Sequence, residues 1–508
     1  MRKAWKLIFS NKFITWAILL FQIAVLVAGY YGMKEYSVLI LGATSVLGDI
    51  LLIYEINRRE PPEFKMTWML VIAIIPIFGA LLYIYMRFSF ISRGIAAHHK
   101  TVRRDIKKYI INDEAASEEI SKTQIKGVAH YLENIADAPV YADTDVKYFK
   151  LGEIMYEEMK ERMEAAEKFI FLEFFIINSS SSMWTEIFDI LSRKVREGVE
   201  VRLMYDGMGS LTTTPRNFST ILDNAGIKHT VFAPLKPLLS TYQNNRDHRK
   251  IIVIDGEVAF TGGINIADEY VNRIKRFGHW KDNGIRITGD AVSRFTALFL
   301  EMWETAVPSD EEDYVKYIHA PQKQCGKGYI IPYGDCPLDN INVGKRVYLD
   351  MINRAEKYVY IMTPYLVIDN EMLEALRFAV ERGVDVRIII PHHPDKVYAY
   401  WLAHTYFPEL IEAGVKMYEY TPGFIHAKTL VADDDEAIVG TINFDFRSLY
   451  LHYECAALIY GMSIVGEIKR DFDETQKQCQ AITMEEYKKF NILTKLMGRA
   501  IRALAPLL

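Results

Sequence analysis

The chain carries the stretch Asp247-His248-Arg249-Lys250-Ile251-Ile252-Val253-Ile254-Asp255-Gly256, and its pattern returns later, between His426 and Asn443. Both copies read His-x-Lys-x4-Asp-x6-Gly-x-x-Asn, with no insertion or deletion between the paired positions. One such match is a weak signal, whereas two in one chain are poorly explained by chance. The repeated motif therefore predicts a duplicated structural unit, and the rest of the chain is interpreted around it.

Each copy places a histidine two residues before a lysine, as His248 and Lys250 and again as His426 and Lys428. Residues i and i+2 of an extended strand share a face, so we expect each imidazole to stand beside an ammonium group. A neutral imidazole can attack the phosphorus of a phosphodiester, while lysine neutralises the non-bridging oxygens. The motif thus predicts phosphodiester chemistry.

The motif also predicts a β-hairpin. The β-branched run Ile251–Ile254 favours a strand, Asp255-Gly256 is a strong turn signal, and residues 258–261 would form the returning strand. The return brings Asn265 towards the His-Lys face, and Asn443 holds the same place in the second copy. We expect both carboxamides to position phosphate oxygens.

The two copies are expected to serve one reaction. A phosphodiester exchange needs a nucleophile and a proton donor for the leaving alcohol. Because each copy supplies one histidine, we predict that the copies face each other across a single site. The alternative is two structural hairpins whose histidines only make hydrogen bonds.

A matching strand, helix and strand precede each motif. Residues 166–172 and 355–362 both read Ala-Glu-Lys followed by apolar side chains, and residues 197–204 and 382–389 share Gly-Val-x-Val-Arg. This βαβ order predicts an α/β fold of two units built on buried, largely parallel sheets. The stretch 307–339, with its Pro, Gly and Asp residues, is interpreted as the junction between the units.

Composition excludes some classes of function. The chain has 508 residues, enough for two or three domains with a large core. Its net charge of −5 argues against a general nucleic-acid binder. The cysteines lack metal-type spacing, so we predict no zinc or iron site and expect reduced thiols, although the first two could pair: Cys325, Cys336, Cys455 and Cys479.

The amino-terminal region is predicted to anchor the chain in a membrane. Residues 13–32 contain no charged side chain, and residues 66–86 are equally apolar and long enough to span a bilayer. Residues 36–54 are apolar except for Asp49, whose burial in lipid would cost about 3 kcal/mol. A signal peptide is the alternative for the first segment, but its apolar core is too long and further apolar segments follow.

Basic residues indicate the orientation of this anchor. Under the positive-inside rule, the catalytic region is placed in the cytoplasm by residues that follow the last apolar segment: Arg87, Arg93, Lys100, Arg103 and Arg104. The amino terminus is basic too, and three full spans would put the two basic flanks on opposite sides. We therefore expect two or three membrane segments, with residues 36–54 or the segment containing Pro76 re-entrant or interfacial.

Taken together, these features resemble the phospholipase D superfamily, which is named for its two His-Lys-Asp motifs, and more narrowly the bacterial cardiolipin synthases. The resemblance covers nearly the whole chain, including the hydrophobic amino-terminal segments. Short sequences around the motifs also carry it: Asn-Asn-Arg-Asp-His-Arg-Lys at 244–250, Ala-Asp-Glu-Tyr at 267–270, Trp-Lys-Asp at 280–282, Thr-Pro-Tyr at 363–365, Tyr-Glu-Tyr at 418–420 and Gly-Phe-Ile-His at 423–426.

The resemblance implies a pseudo-twofold arrangement of two α/β/α units with both motifs at one interface. It implies transfer of a phosphatidyl group through a covalent phosphohistidine, without a metal or another cofactor. It also assigns nucleophilic attack to His248 and proton transfer to His426, two roles that the residues alone do not separate. The expected catalytic set is His248, Lys250, Asp255, His426, Lys428 and Asp433, with Asn265 and Asn443 binding the substrate phosphate.

Supporting carboxylates are expected beside the histidines, because carboxylates orient imidazoles and tune them. The family places such partners at Asp282, after the first motif, and at Glu454, after the second. Asp255 and Asp433 stand at the hairpin ends, so we expect them to act mainly through structure. No motif residue is missing in either copy, which disfavours an inactive homologue.

The resulting hypothesis is a membrane-anchored enzyme that makes cardiolipin from two phosphatidylglycerol molecules and releases glycerol. The alternatives are a phospholipase D or another phosphatidyltransferase, a nucleic-acid phosphodiesterase, and a lipid-binding scaffold. The expected partners are phosphatidylglycerol, cardiolipin and an anionic membrane, without nucleic acid, and a homo-oligomer is left open. The basic amphipathic tail, residues 488–508, suits an anionic membrane surface or packs as an ordinary surface helix.

The domain limits predicted from these assignments are a membrane anchor at 1–95, a linker at 96–138, a first phospholipase D-like domain at 139–310, a junction at 311–335, a second such domain at 336–484 and the basic tail at 485–508.

Overall fold

The structure of this chain is a computed structural model that describes residues 37–87, 90–234, 244–309, 313–319 and 326–507. The chain divides into two compact units, Met1–Phe88 and Ser89–Leu508. The described part of the first unit contains three consecutive helices, α1 (Ser37–Ile56), α2 (Pro62–Ile74) and α3 (Pro76–Arg87).

The apolar segment 66–86 is divided between two helices. Helix α2 ends at Ile74 and α3 begins at Pro76, because proline lacks an amide N–H and crowds the preceding turn. Within the described residues, no helix is both long enough and apolar enough to cross a membrane. The predicted segment 13–32 lies outside the described residues.

The first motif belongs to a seven-stranded mixed sheet in the second unit. The sheet order is β1-β8-β6-β5-β2-β3-β4, in which β2, β3 and β4 are parallel and the other neighbours pair antiparallel. The strands of this half are β1 (Thr144–Phe149), β2 (Phe169–Phe174), β3 (Glu200–Asp206), β4 (Lys228–Phe232), β5 (Ile251–Ile254), β6 (Val258–Gly262), β7 (His279–Lys281) and β8 (Gly284–Gly289).

The second motif belongs to an eight-stranded sheet with the same plan. Its order is β19-β13-β12-β10-β15-β16-β18-β9, in which β10, β12 and β13 are parallel and the other neighbours pair antiparallel. The strands of this half, of which β11, β14 and β17 lie outside the eight-stranded sheet, are β9 (Tyr329–Asp335), β10 (Tyr358–Met362), β11 (Leu366–Val367), β12 (Asp385–Pro391), β13 (Lys416–Tyr420), β14 (Gly423–Ile425), β15 (Thr429–Ala432), β16 (Glu436–Gly440), β17 (Phe444–Asp445), β18 (Glu454–Tyr460) and β19 (Cys479–Ile482).

The predicted α/β fold with two sheet units is confirmed, as are the hairpins β5–β6 and β15–β16. The prediction of largely parallel sheets was wrong. Each hairpin pairs antiparallel with the first strand of its βαβ unit, β2 or β10, and brings further antiparallel neighbours behind it. Within the two large sheets, only the described strands that are joined through connecting helices therefore run parallel.

Helices cover these sheets and also lie between them. In the described part of the second unit they are α4 (Phe90–Ile106), α5 (Glu114–Ile120), α6 (Lys126–Ile135), α7 (Gly152–Glu164), α8 (Ser182–Arg196), α9 (Phe218–Asn224), α10 (Val292–Ala306), α11 (Val343–Arg354), α12 (Asn370–Glu381), α13 (Val397–Ala403), α14 (Phe407–Ala413), α15 (Ile464–Gln476), α16 (Met484–Lys489) and α17 (Ile492–Arg502).

The core follows the two-residue period of the strands. In β5, Ile251 and Val253 pack into a core cluster that both sheets share, whereas Ile252 and Ile254 pack outward with α7 and α8. Helix α10 packs on the first sheet and on β9, and α15 packs on the second sheet and on β1. Because the two halves share one core, the relative position of their motifs is determined by packing.

The region predicted as a linker, residues 96–138, contains α5, α6 and most of α4. Many of its apolar side chains are buried, including Ile106, Ile120 and Leu132. Arg103 of α4 donates a hydrogen bond to Asp339 at 3.3 Å, close to the start of the second half. The domain limits given above stay a prediction.

Candidate active site

His248 lies immediately before β5 and forms a buried pair with Glu454, the first residue of β18 in the other sheet. The His248 Nδ1 lies 2.8 Å from Oε1 of Glu454. The other Glu454 oxygen accepts a hydrogen bond from the hydroxyl of Thr441. Donation from Nδ1 to the carboxylate leaves a lone pair on Nε2, so this pair prepares Nε2 as a nucleophile or a base.

His426 forms the corresponding pair with Asp282. The His426 Nδ1 lies 2.7 Å from Oδ2 of Asp282, and both side chains are buried. The same oxygen accepts a hydrogen bond from the indole Nε1 of Trp280 at 3.2 Å, and Oδ1 accepts one from the backbone N of Asn283 at 2.9 Å. The structure thus brings both predicted supporting carboxylates to the histidines.

Each half supplies the carboxylate that pairs with the histidine of the other half. Short parallel backbone contacts bring the two segments together. The backbone N of His248 donates to the carbonyl of Tyr453 at 3.0 Å, one residue before Glu454. The backbone N of His426 donates to the carbonyl of Lys281 at 2.7 Å, where β14 pairs with β7. Each histidine is therefore completed by the opposite half, as expected for one site formed by two motifs.

Glycine permits the close approach of the second pair. A Cβ atom at Gly263 would collide with the carboxylate of Asp282 and would lie 3.0 Å from the carbonyl of His426. The motif ends in Gly-Gly-Ile-Asn in the first copy, and this glycine leaves room for the carboxylate.

Burial makes both imidazoles poor bases in the absence of substrate. It lowers the pKa of His248 well below the usual value, and the nearby Lys250 and Lys428 lower this pKa further. Burial and then Lys428 lower the pKa of His426 to about 4, although the Asp282 carboxylate acts in the opposite direction. Both rings are therefore neutral at pH 7 in the chain without a ligand.

The two motif lysines are buried, and neither has a carboxylate at hydrogen-bond distance among the described residues. Each Nζ donates to the backbone carbonyl of the histidine in its own motif. Burial lowers the pKa of Lys250 to about 8 and that of Lys428 to about 7. An anionic phosphate bound between the motifs would favour the charged form of both lysines.

The comparisons with known proteins agree with this geometry. The sequence model of the cardiolipin synthase, phospholipase D-like domain matches residues 159–303 and 348–476, and that of the phospholipase D-nuclease N-terminal region matches residues 46–87. A cardiolipin synthase of Halalkalibacterium halodurans is 31% identical over 97% of this chain and 99% of its own length. The chain belongs to the cardiolipin synthase family. It is an enzyme of the phosphatidyltransferase class.

Other similar proteins have the same extent or fold. An uncharacterized Streptococcus mutans protein is 47% identical over 91% of this chain and 100% of its own length. The crystal structure of phosphatidylserine synthase from Haemophilus influenzae superposes with a TM-score of 0.57 at 13% identity, covering 75% of this chain and 100% of that one. The latter likeness concerns the fold alone.

The two asparagines of the family motif have different surroundings. Asn265 accepts a hydrogen bond from the backbone N of Ile176 at 3.0 Å, and its Nδ2 donates to the hydroxyl of Tyr270 at 2.9 Å. The Oδ1 of Asn443 is buried and has no hydrogen-bond partner among the described residues. Asn443 is thus the more available of the two for a ligand.

The motif aspartates lie at the far ends of their strands. Asp255 accepts hydrogen bonds from three consecutive backbone amides, residues 167–169, at 2.7 to 2.8 Å. Asp433 binds residues 356–358 in the same way at 2.6 to 3.0 Å. Each aspartate follows its motif lysine by five positions of extended chain, a distance of roughly 16 Å. Neither carboxylate is placed to touch a substrate held by the lysines.

The sequence reasoning missed His452, which is buried beside the first pair. Its ring centroid lies 5.5 Å from that of His248, and its Nδ1 lies 3.8 Å from Oε1 of Glu454. His452 precedes Glu454 by two residues, as Trp280 precedes Asp282. Aligning the two halves on these carboxylates would have revealed it.

The surroundings of the site also contain two cations that were not predicted. Lys396 and Arg447 line one groove together with Tyr365, Ala399 and Phe446. The charge of Lys396 contributes to the lowered pKa of His248, and the charge of Arg447 to that of His452. The groove therefore opens close to the first histidine pair.

Proposed function

We propose that this member of the family transfers a phosphatidyl group from one phosphatidylglycerol to another, which yields cardiolipin and glycerol. One observation carries the proposal: two buried imidazoles, each paired with a carboxylate of the opposite half, lie beside two buried lysines. This arrangement offers one nucleophile, one proton carrier and cationic groups for an anionic phosphodiester.

In the first step, Nε2 of His248 attacks the phosphorus of phosphatidylglycerol. The bond between phosphorus and the glycerol headgroup oxygen breaks, and His426 delivers a proton to that oxygen, so that glycerol leaves. A covalent phosphatidyl-histidine remains. The bound phosphate anion raises the pKa of His426 from its low resting value, which supplies the protonated acid.

In the second step, the terminal hydroxyl of another phosphatidylglycerol gives its proton to Nε2 of His426. The resulting alkoxide attacks phosphorus, the bond to His248 breaks, and cardiolipin forms. Glu454 holds the imidazole of His248 in the tautomer required for attack, because its Oε1 lies 2.8 Å from Nδ1 and accepts the proton that Nδ1 carries. The assignment of attack to His248 follows the family resemblance.

The remaining motif residues have supporting parts in this mechanism. We propose that Lys250, Lys428 and Asn443 hold the non-bridging oxygens, and that Asn265 acts in the same phosphate site. Asp255 and Asp433 are positioning residues, because each fastens its hairpin to the start of a neighbouring strand. The groove beside Lys396 and Arg447 would accept the lipid, with its apolar side chains towards an acyl chain.

We propose that the enzyme works at an anionic membrane surface. Residues 1–95 would anchor it through two or three membrane segments, with the catalytic region that contains both motifs in the cytoplasm. Helix α17 supports a surface contact, since Ile492, Leu493 and Leu496 are exposed next to Lys495 and Arg499. The helix packs on α13, which follows Lys396 directly. An apolar and basic surface would therefore adjoin the groove.

The test is incubation of the purified full-length chain with phosphatidylglycerol alone in mixed micelles, with lipid products followed by mass spectrometry. We expect cardiolipin and an equal amount of free glycerol. Phosphatidic acid in place of cardiolipin would make water the acceptor and the enzyme a phospholipase D. Activity on a DNA or RNA phosphodiester with no lipid product would reject the lipid substrate.

Two variants test the mechanism in the same assay. Replacing His248 with Ala should abolish turnover and phosphatidyl-histidine formation. Replacing His426 with Ala should slow turnover strongly, and the covalent phosphatidyl-enzyme is expected to be trapped by rapid acid-free quenching. Normal cardiolipin production by both variants would reject the mechanism and favour a lipid-binding scaffold.

A further inference from the structure

We propose that His248, His452 and Glu454 form a binding site for a divalent transition metal, best suited to Zn²⁺, and that occupation of this site inhibits the enzyme. One ligand atom from each of the three buried residues lies within 4.8 Å of the others. Neither the repeated motif nor the cysteine spacing indicates such a site. The inhibition depends on the proposed function of His248, whereas metal binding does not.

The distances suit a tetrahedral ion. Oε1 of Glu454 lies 2.8 Å from Nδ1 of His248 and 3.8 Å from Nδ1 of His452. Zinc bonds of about 2.0–2.1 Å at tetrahedral angles separate adjacent ligand atoms by about 3.3 Å. The two observed distances lie on either side of this value, so shifts of about half an ångström adjust both pairs to it. The ligand atoms of His248 and His452 lie within 4.8 Å of each other and would close on the ion at the remaining corner.

His452 is the residue that makes the site distinct from a simple histidine-carboxylate pair. Its side chain is more than nine-tenths buried, and both ring nitrogens lack a hydrogen-bond partner among the described residues. A buried imidazole without partners loses its hydrogen bonds to water and gains nothing in exchange. A metal ion bound by Nδ1 would satisfy it.

The second half of the molecule provides an internal comparison. The position equivalent to His452 is Trp280, whose indole Nε1 donates to Asp282 at 3.2 Å and cannot ligate a metal. The Trp280 ring lies 5.2 Å from His426, much as His452 lies 5.5 Å from His248. The two halves thus share one geometry, but only the half around His248 has a third ligand.

The ligand set favours zinc over the common hard cations. Two imidazole nitrogens and one carboxylate suit Zn²⁺, whereas Mg²⁺ and Ca²⁺ prefer oxygen ligands. Three protein ligands leave a fourth position for water or for a phosphate oxygen.

Occupation would stop the reaction at the nucleophile. A metal on Nδ1 of His248 displaces the proton shared with Glu454 and moves it to Nε2, because a neutral imidazole keeps one N–H. Nε2 then has no lone pair for attack on phosphorus. The metal also removes Glu454 from its orienting role.

The experiment uses the untagged full-length chain in detergent, cleared of metal with a chelator that is then removed. Zn²⁺ binding is measured by calorimetry, and Co²⁺ is used as a spectroscopic probe of tetrahedral coordination. The test variants are His452→Asn and His452→Trp, the latter copying the second half. His393→Asn, at an exposed histidine of another loop, is the matched control.

We expect one Zn²⁺ per chain, with an affinity at least about tenfold weaker in both His452 variants and unchanged in the control. Cardiolipin production by the wild type should fall with the same Zn²⁺ dependence and return when a chelator is added. Equal Zn²⁺ binding by the wild type and the His452 variants would overturn the site. So would Zn²⁺ that binds without a tetrahedral Co²⁺ spectrum.

The two proposals fail separately. If the metal-free wild type makes no lipid product, the proposed function fails, while the binding measurements still decide the metal site. If the His452 variants prove unfolded by circular dichroism, the Co²⁺ spectrum of the wild type and of His393→Asn decides it alone. Loss of the tetrahedral spectrum in both would reject the proposal.

Discussion

At the scale of single residues, the site depends on which ring nitrogen of His248 and of His426 contacts a carboxylate. Nδ1 of His248 faces Glu454 at 2.8 Å, and Nδ1 of His426 faces Asp282 at 2.7 Å. Both carboxylates are fully buried, so their charges act on the rings at short range and with little screening by water. The carboxylates should therefore matter nearly as much as the histidines.

Replacing Glu454 with Gln should lower kcat by about 10²- to 10⁴-fold and leave KM for phosphatidylglycerol within a few-fold. Glutamine can donate to Nδ1 of His248, which would place the ring proton on Nε2 and remove the attacking lone pair. The measurement is steady-state production of cardiolipin. Asp282→Asn should lower kcat to a similar extent. A kcat equal to that of the wild type in either variant would exclude an orienting role for the carboxylate that was replaced.

The lowered pKa of His426 predicts how stability depends on pH. In the unfolded chain this ring takes up a proton near pH 6.5, whereas in the folded chain burial lowers its pKa to about 4. The unfolded state therefore binds more protons between these values, and stability should fall as the pH drops from about 6.5 to 4. The contribution is about 3 kcal/mol by the usual conversion of a pKa difference.

Denaturant unfolding at several pH values tests this sign. His426→Asn should make the dependence of the free energy of unfolding on pH less steep in this interval, and exposed His393→Asn should leave it unchanged. If the free energy of unfolding of His426→Asn depends on pH as steeply as that of the wild type, the lowered pKa of His426 does not contribute to the pH dependence of stability.

At the scale of elements, the hairpins hold the motif in place. Asp255 has φ of 56° and Gly256 has φ of 71°, and Asp433 and Asp434 repeat this left-handed pair at 55° and 70°. Aspartate tolerates such a turn, and its carboxylate caps the neighbouring strand through backbone amides. The motif aspartate is thus explained by the hairpin rather than by contact with substrate.

Asp255→Asn should lower the free energy of unfolding by about 1–3 kcal/mol, because it weakens three charge-assisted hydrogen bonds while keeping a residue that accepts positive φ. The kcat of the folded variant is expected to stay within about tenfold of the wild type. Denaturant unfolding and the micelle assay measure the two effects. A loss of kcat as large as that of His248→Ala would make Asp255 a catalytic residue.

Helix α17 is the element expected to contact the membrane. Gly498 faces α13, where a Cβ atom would lie 2.5 Å from the carbonyl of Trp401, and Arg502 pairs with Glu409 at 2.8 Å. The opposite face exposes Leu493 and Leu496. These contacts fix the helix on the protein and leave its apolar side outward.

Replacing both Leu493 and Leu496 with Glu should weaken the contact of α17 with vesicles of phosphatidylglycerol by about tenfold or more, because two apolar side chains are lost and two negative charges are added. Because residues 1–95 would hold the whole chain on the vesicle, the contact is measured locally, by hydrogen exchange of residues 492–502 in the reconstituted chain. A matched double change to Ala separates the loss of apolar area from the charge. Equal exchange in the wild type and the Glu variant would assign α17 to ordinary packing.

At the scale of the whole molecule, buried interactions between the halves hold the two motifs in register. Asp471 of α15 accepts from Nζ of Lys281 at 2.7 Å and from the hydroxyl of Tyr148 at 2.7 Å, which both belong to the first half. The carbonyl of Lys281 in turn accepts a hydrogen bond from the backbone N of His426. This link therefore connects the shared core to the active site.

Asp471→Asn should cost about 3–5 kcal/mol of stability, because it leaves the buried ammonium of Lys281 without a counter-charge. Glu474→Gln is the matched control on the same helix, since its pair with Lys150 is exposed at 3.2 Å and worth at most about 1 kcal/mol. Denaturant unfolding compares the two. Equal effects would show that the inter-half link contributes nothing particular.

The repeated unit, the hairpins β5–β6 and β15–β16 and the βαβ order follow from the amino-acid sequence alone. These features depend on local preferences: β-branched runs, an Asp-Gly turn and a fixed spacing of polar residues. It also identified the histidines, lysines and both supporting carboxylates, the last two by family resemblance. It failed on the sheets, whose antiparallel majority depends on where each hairpin docks.

Which carboxylate pairs with which histidine depends on how the two halves pack, and this is seen only in the folded structure. Glu454 lies 206 positions from His248 in the chain, and no local pattern encodes that pairing. The same holds for His452, which becomes a neighbour of His248 only because β18 meets the first motif across the shared core. The spacing of residues along a strand determines on which face of the sheet a side chain lies. The packing of the two sheets on one core determines which residues of the other half that side chain contacts.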